Sequence, residues 1–359
     1  MVDIPTDSGL ISGAVPGGTT VIKPMKTLSA GKRVKWTLGG NFKVATLVLG
    51  VLGLAGCGAT IEVNPDGARL SAQLAIADLH LHPSLDLSPS EVKKWMDENG
   101  VRWAGAGVRR GDASTWRDYS KELGNRFVAF AGQAELNRAY FEGGVAGMED
   151  AKNPIVSVLL TQVEEDLKAG RIQGVGEIFV NNSNSSANPA FRRKVRADAP
   201  SIRHLYQVVA KYGAFLTFHM EAESDNIVEM ERLLASDRKG RILWNHCGVN
   251  STADQVRPLL ARHANLFCEL SFRHPPALED RMARRQPRRK IFGSRGPDAD
   301  WLKLIEDFPD RFLIGTDVES PFGYGEAIRV VRNGLLPYLL PSTTRKVAYE
   351  NAQRLFGLK

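Results

Sequence analysis

Two histidines separated by one residue, His80 and His82, directly follow a short apolar run. Residues two apart in a β-strand point to the same face, so the two imidazoles leave the strand side by side. A strand end of this kind presents two nitrogen ligands to one metal ion. The pair alone is a weak signal, because chance His-x-His pairs are common. A metal site therefore needs support from other residues.

Four more residues able to bind a metal occur downstream, each within or at the end of its own apolar run: Glu177, His219, His246 and Asp317. Imidazole nitrogen combined with carboxylate oxygen suits zinc, manganese or iron better than calcium. A glutamate among four histidines can bridge two ions, which would hold and activate one water molecule. Asp317 can bind an ion and also take the proton of that water as general base. We therefore predict that the site binds one or two divalent ions, with zinc as the first choice and manganese or iron as alternatives.

The elements that must position these residues are eight apolar runs that alternate with amphipathic segments. Most runs are nearly continuous in apolar residues, as expected of strands buried on both faces. The alternation predicts an α/β fold, a single-domain (β/α)8 TIM barrel over residues 74–359. A doubly wound open sheet is the alternative, but it favours a Gly-rich turn after strand one, where this chain has Leu-His-Pro. The predicted strands are 74–82, 101–108, 127–134, 172–180, 214–221, 241–248, 266–272 and 312–319.

In such barrels the site forms at the carboxyl ends of the strands, where all six residues fall. The set resembles the amidohydrolase superfamily, with His-x-His on strand one, His on strands five and six, and Asp on strand eight. The run Gly-Val-Gly-Glu at 174–177 is similar to TatD-type metal hydrolases, in which the glutamate bridges, and residues 349–358 resemble the last helix of the amidohydrolase-related family. The resemblance implies one ion on His80, His82 and Asp317 and a second on His219 and His246, with Glu177 between them.

The resemblance implies a hydrolase that acts on an ester, amide or phosphoester bond. A mononuclear decarboxylase or other lyase of the same fold is one alternative, and a catalytically silent, lipid-anchored binding protein is another. Glu177 separates the first two readings, because a one-ion site needs no bridging ligand. However, strand four lacks the lysine that other binuclear members carboxylate, which leaves the number of ions open.

Two basic loops should lie on the site face of the barrel. Residues 273–295 contain seven arginines, and 192–196 form a second cluster after strand four. Arginines at a barrel mouth can bind an anionic small-molecule substrate. Arg273 is the best candidate for this role, and His274 is a weaker one. A solvated surface or a contact with anionic lipid is the alternative, and sparse aromatic residues make nucleic-acid binding unlikely.

The first 56 residues differ from the rest. Basic residues between 32 and 43 precede an uncharged apolar run at 44–56, which is typical of a secretory signal and short for a membrane span. The tetrapeptide ending at Cys57 resembles a bacterial lipobox, which implies cleavage and lipidation of Cys57. We predict an N-terminal extension and signal peptide at 1–56, in which residues 1–24 are a mis-called extension if Met25 is the true start. A lipid-anchored tether at 57–73 should follow, in a lipoprotein of the outer membrane that faces the periplasm.

Charge and cysteine content agree with this organisation. Residues 1–56 carry six Lys/Arg and two Asp, so most of the formal net charge of +7 belongs to the targeting segment. Nucleic-acid binding is therefore not indicated by charge. Of the three cysteines, Cys247 and Cys268 lie in apolar runs, and we expect them to be buried small residues without a disulfide.

Overall fold

The computed structural model describes residues 61–82, 87–107, 113–184, 189–274, 289–318 and 323–359. The predicted signal and Cys57 lie outside these ranges, as do several arginines of the loop after strand seven. Within the described ranges, no helix is long and apolar enough to cross a membrane.

Eight parallel strands form one sheet in chain order, and each predicted apolar run contains one of them. Isolated bridges from Asp78 to Ile314 and from Leu81 to Val318 bring the last strand against the first. The predicted barrel is thus confirmed. The barrel strands are β1 Ile76–Asp78, β2 Val101–Gly107, β3 Phe127–Gly132, β4 Gly174–Phe179, β5 Phe215–His219, β6 Arg241–Trp244, β7 Leu266–Glu269 and β10 Phe312–Leu313; a small hairpin, β8 Phe292–Gly293 and β9 Gly296–Pro297, lies between the last two.

Helices surround the sheet, and local sequence sets several of their ends. Ser88 and Thr252 each begin a helix with a reciprocal capping box. Gly100, Gly170 and Gly213 follow helices with positive φ, the conformation that favours glycine at such ends. The helices are α1 Pro65–Gln73, α2 Pro89–Glu98, α3 Ala113–Leu123, α4 Gln133–Glu149, α5 Pro154–Lys168, α6 Pro200–Tyr212, α7 Ser224–Ser236, α8 Ala253–Arg262, α9 Ala299–Asp307, α10 Tyr324–Gly334, α11 Pro341–Arg345 and α12 Asn351–Phe356.

Part of the predicted tether is structured. Residues 65–73 form α1, which begins at Asn64, whose side chain accepts hydrogen bonds from the backbone of Asp66 and Gly67. Arg332 donates to the carbonyl of Ser71 at the other end of the helix. A Cβ at Gly67 would lie 2.7 Å from the Leu339 carbonyl oxygen, so the helix packs closely on the barrel. Residues 65–73 of the predicted tether are therefore helical, and the domain boundary at residue 74 stays a prediction.

The apolar core has two layers. The larger one lies between the sheet and the helices, as expected where helices cover a parallel sheet. The smaller one fills the barrel interior and includes Trp103, Phe130, Phe215 and Phe267. The last helix closes this interior, since the Phe356 ring lies 4.7 Å from that of Phe215. The carboxyl ends of the strands remain available for polar side chains.

Candidate metal centre

The His-x-His segment is held by the end of its own strand. The buried Asp78 carboxylate accepts the His80 backbone N–H at 3.2 Å and the Thr316 hydroxyl at 2.8 Å. Burial raises the pKa of Asp78 to about 6, against the opposing effect of these hydrogen bonds. Asp78 thus ties the end of β1 to the segment after β10, which carries Asp317.

His80, His82, Glu177 and Asp317 form the first ligand group, named so below. His82 Nε2 lies 2.8 Å from Asp317 Oδ1 and 3.2 Å from His80 Nε2. Glu177 Oε1 lies 3.5 Å from His80 Nε2, and Glu177 Oε2 lies 3.5 Å from His82 Nε2. All four side chains are buried. Four potential ligand atoms therefore converge on one point.

Glu177, His219 and His246 form the second ligand group. Glu177 Oε1 lies 3.0 Å from His219 Nδ1 and 3.3 Å from His246 Nε2. The two imidazole nitrogens are 3.2 Å apart. The same carboxylate therefore belongs to both groups.

The backbone at these strand ends is unusual. A cis peptide precedes Glu177, and a Cβ at Gly176 would lie 2.6 Å from the Thr217 carbonyl oxygen, so only glycine fits there. His246 and Asp317 both have positive φ, which costs a non-glycine residue about 1–3 kcal/mol. Such conformations persist where the surroundings fix them, as around a functional site.

Charge at the centre is strongly coupled. Burial alone would lower the pKa of His80, but the carboxylates of Glu177, Asp317 and Glu269 raise it well above its ordinary value. Burial alone would raise the pKa of Glu177, yet His80 and His219 bring it well below its usual range. The carboxylates therefore create a site that attracts positive charge.

The residues fit a divalent metal ion. In each group the ligand atoms lie within 4.8 Å of one another. Ligands about 2.1 Å from a tetrahedral ion are about 3.4 Å apart, close to the separations observed here. Glu177 Oε2 is buried and has no hydrogen-bond partner within the described part of the chain, as expected of an oxygen that serves as a ligand.

A family comparison agrees with this geometry. The amidohydrolase family model matches residues 77–358, which is most of the chain. The chain belongs to the amidohydrolase family. No curated protein matches the sequence.

Solved structures similar to this amidohydrolase are distant. A 2,6-dihydroxybenzoate decarboxylase from Rhizobium is 13% identical, with a TM-score of 0.48, 80% of this chain covered and 99% of that chain. A dihydroxybenzoic acid decarboxylase from Polaromonas sp. JS666 with bound manganese and 2-nitroresorcinol is 14% identical, with a TM-score of 0.46. The match covers 79% of this chain and 97% of that chain. A dihydropyrimidinase from Brevibacillus agri NCHU1002 is 10% identical, with a TM-score of 0.46, and the match covers 79% of this chain and 71% of that chain. None of these likenesses assigns a reaction to this amidohydrolase.

Two functional residues at and just after the carboxyl end of β7 were missed by the sequence analysis. Glu269 Oε2 lies 2.7 Å from His80 Nδ1, and the Ser271 hydroxyl lies 2.8 Å from His246 Nδ1. Both residues are buried. The available signal was a carboxylate inside the otherwise apolar run at 266–270, in the strand to which no ligand had been assigned.

Arg273 does not have the predicted environment. Its side chain is fully buried, with the guanidinium 4.8 Å from the centre of the Trp301 ring. It donates to the carbonyl oxygens of His246 at 2.7 Å and Ser251 at 2.9 Å, and to that of Arg289 at 2.8 Å. Arg273 therefore holds the turn after β6, and its role in binding an anionic substrate stays a prediction. His274 is buried between Phe272 and Phe292, and its substrate role stays a prediction.

The basic cluster after β4 contains an arginine in a different setting. Arg193 is 97% buried, and its guanidinium lies 4.1 Å from the centre of the Tyr140 ring. Nη1 donates to Asn137, but Nε and Nη2 have no hydrogen-bond partner among the residues that the structure describes. The guanidinium also lies 5.4 Å from the Phe179 ring, which stacks on the imidazole of His219. A desolvated cation therefore lies one ring away from the second ligand group.

Cys247 and Cys268 were expected to be separate buried residues, and this expectation is wrong. The two are joined by a disulfide, with Cα atoms 4.7 Å apart. The two cysteines come from adjacent strands. Cys268 lies opposite Trp244 in the β6–β7 register, and Trp244 directly precedes the turn that contains Cys247. The disulfide directly follows the ligand-type residue His246.

Proposed function

We propose that this amidohydrolase is a metal-dependent hydrolase that holds two divalent ions, zinc first, with manganese or iron as alternatives. One observation carries the proposal: Glu177 contacts His80 and His82 on one side and His219 and His246 on the other. A carboxylate in this position suits a bridged pair of ions. Bound ions would supply Lewis acidity and a water that is deprotonated near neutral pH.

The side chains have separable roles in this proposal. The first ligand group would hold one ion and the second group the other, with Glu177 in both groups. Asp317 takes the proton of the attacking water, because its carboxylate spans the centre, with Oδ1 toward His82 and Oδ2 3.8 Å from His246 Nε2. Burial excludes bulk water from these groups and strengthens every charge interaction among them.

Two other functions remain as competitors. A mononuclear decarboxylase or lyase would use the first ligand group and would not require Glu177 to contact His219. A catalytically silent binding protein would gain nothing from six converging buried ligands. The shared position of Glu177 therefore favours the binuclear hydrolase over both.

The test is an activity screen of zinc-loaded and manganese-loaded protein against neutral and anionic esters, lactones, amides and phosphoesters. We expect hydrolysis that disappears with a chelator and returns with added ion. His219→Ala should remove it, whereas His204→Ala, on the outer helix α6, should not. Release of carbon dioxide from a carboxylic acid without hydrolysis of any substrate would favour the lyase, and no turnover would favour the binding protein.

We also propose that the substrate carries an anionic group, recognised by Arg193 in place of Arg273. The buried guanidinium retains two unpaired polar atoms, and hydrogen bonds between charged groups contribute about 1.5–3 kcal/mol each. Arg193→Met should raise KM for an anionic substrate about 10-fold or more and leave KM for a neutral one unchanged. Arg196→Met in the same loop, where the side chain is half exposed and pairs with Glu149, is the matched control. Equal effects on both substrates would assign Arg193 to folding.

We propose in addition that Cys57 carries a lipid anchor and that the protein resides in the outer membrane, facing the periplasm. The Cys247–Cys268 disulfide supports export, since disulfides persist in oxidising compartments. Cys57→Ser should move the protein from the membrane fraction to the soluble fraction. Recovery of the unaltered protein from the cytosol would contradict this proposal.

A further inference from the structure

Strand β7 contributes no ligand to either group, yet its carboxyl end lies directly behind both. Glu269 is fully buried, and its carboxylate Oε2 faces His80 Nδ1 at 2.7 Å. Ser271 is also fully buried, and its hydroxyl lies 2.8 Å from Glu269 Oε2 and 2.8 Å from His246 Nδ1. One carboxylate and one hydroxyl therefore connect an imidazole of the first ligand group with one of the second.

The hydrogen atoms can be assigned by elimination in the series of hydrogen bonds that runs from His80 through Glu269 and Ser271 to His246. An ionised carboxylate only accepts, so His80 Nδ1 must carry the proton that it shares with Glu269. The Ser271 hydroxyl has one proton and gives it to Glu269, which leaves its lone pairs to accept from His246 Nδ1. Both Nδ1 atoms are then donors, and both neutral imidazoles present the Nε2 lone pair to the centre. In the contacts described here, each of these donors then faces an acceptor.

The surroundings hold the carboxylate in place. The Ser271 backbone N–H donates to Glu269 Oε1, on the side away from His80. Gly315 provides the necessary room, because a Cβ there would lie 2.5 Å from the Glu269 carboxyl carbon and 2.5 Å from His80 Cβ. The Ser271 carbonyl lies 3.2 Å from His246 Nδ1 and offers a second acceptor. The Glu269 carboxylate is thus held by three groups: the His80 imidazole, the Ser271 hydroxyl and the Ser271 backbone N–H.

We infer that Glu269 and Ser271 are positioning residues that set the tautomers of His80 and His246 together, so that β7 aims one Nε2 at each ion. The inference rests on the metal-binding part of the proposed function and not on its hydrolytic step. Groups that hydrogen-bond metal-binding histidines typically change metal affinity 10–100-fold when they are mutated.

The inference makes an asymmetric prediction for two substitutions. Glu269→Gln forces an amide N–H against either His80 or the Ser271 backbone N–H, so it disturbs the chain at its centre. Ser271→Ala removes a hydroxyl that contacts Glu269, His246 Nδ1 and, at 3.1 Å, His80 Nδ1. His80 still keeps the Glu269 carboxylate at 2.7 Å, whereas His246 keeps only the carbonyl of residue 271 as acceptor. We expect Glu269→Gln to weaken zinc binding at the first group by about 10–100-fold and also to weaken the second. Ser271→Ala should weaken mainly the second, by about 10-fold, because His80 keeps its shorter contact with Glu269.

Zinc affinity is measured by competition with a chelator of known affinity, with zinc as the only added ligand. Asp198→Asn and Ser201→Ala are matched controls, since both residues are buried and lie outside the centre. Asp198 pairs with Arg203 and Arg232, and the Ser201 hydroxyl donates to the Met148 carbonyl. The controls should lower thermal stability without changing zinc affinity. Equal loss at both groups in Ser271→Ala, or unchanged zinc affinity in folded Glu269→Gln, would overturn the inference.

Imidazole ¹⁵N chemical shifts of the zinc-loaded protein give a second readout that requires no variant. We expect His80 and His246 to be protonated at Nδ1 and bound to zinc through Nε2. Zinc bound through Nδ1 of either residue would overturn the inference, even if Glu269→Gln failed to fold. The proposed function can fail separately. If the protein bound zinc with these tautomers but hydrolysed no substrate, the inference about Glu269 and Ser271 would stand and the hydrolase proposal would be contradicted.

Discussion

The two ends of the barrel interior use opposite chemistry. At the amino ends of the strands, Phe130, Phe215 and Phe267 pack against the last helix in an apolar cluster. At the carboxyl ends, four imidazoles and three carboxylates converge in a buried space. Burial without charge stabilises the first end, whereas burial of interacting charges at the second costs free energy unless an ion binds.

Backbone conformation follows the same division. Among the described residues, every non-glycine residue with positive φ lies just after the carboxyl end of a strand: Asn181, His246, Cys247, Val249, Phe272 and Asp317. Strained conformations of this kind reduce stability and are retained where they orient functional groups. Stability and chemistry therefore depend on opposite ends of one barrel, so substitutions at each end should affect different measurements.

The largest expected effect is on turnover. Asp317→Asn should lower kcat of the metal-loaded protein by about 10²–10⁴-fold, because the amide cannot accept the proton of the attacking water. The free energy of unfolding of the ion-free protein should not fall, since the substitution removes one of the crowded carboxylates. Steady-state kinetics and urea unfolding measure the two quantities. A loss of stability in proportion to activity would contradict the division.

The next effect is on stability at the opposite end. Phe215→Ala should lower the free energy of unfolding by about 3–5 kcal/mol, because the ring is fully buried between Phe267 and Phe356. The folded variant should bind as much zinc as the unaltered protein. Urea unfolding and elemental analysis make the comparison, and loss of zinc from folded Phe215→Ala would show that the two ends are coupled.

The disulfide should give the smallest of these effects. It closes a loop of 21 residues, so its reduction should lower the free energy of unfolding by about 3 kcal/mol or less. The double variant Cys247→Ser/Cys268→Ser separates this effect from that of the reductant itself. If unfolding midpoints were the same with and without reductant, and equal to that of the double variant, the bond would have no stabilising role.

Much of the fold could be predicted from sequence because parallel strands buried on both faces appear as nearly continuous apolar runs. Their carboxyl ends then place His80, Glu177 and Asp317 together without knowledge of side-chain directions. The disulfide could also have been predicted, since Cys247 and Cys268 lie in the sixth and seventh apolar runs, which form adjacent strands in a barrel. It was missed because each apolar run was considered separately.

Other features depend on three-dimensional detail that residue types do not contain. Arg273 follows β7 as expected, yet its direction depends on carbonyl groups of the turn after β6, and no sequence pattern marks these as acceptors. Glu269 was unassigned because a carboxylate that binds the back of an imidazole has the same sequence signature as a core carboxylate paired elsewhere. Helix α1 lies in a polar segment, and its contacts come from residues far along the chain.

Metal counting tests the central claim, that Glu177 joins two ligand groups into one binuclear centre. Protein freed of metal, reloaded with excess zinc and passed through a desalting column is analysed beside Glu177→Gln. The account predicts two equivalents of zinc in the unaltered protein and about one in the variant, with at least about 100-fold weaker affinity for the second ion. One equivalent in the unaltered protein, unchanged in Glu177→Gln, would contradict the account.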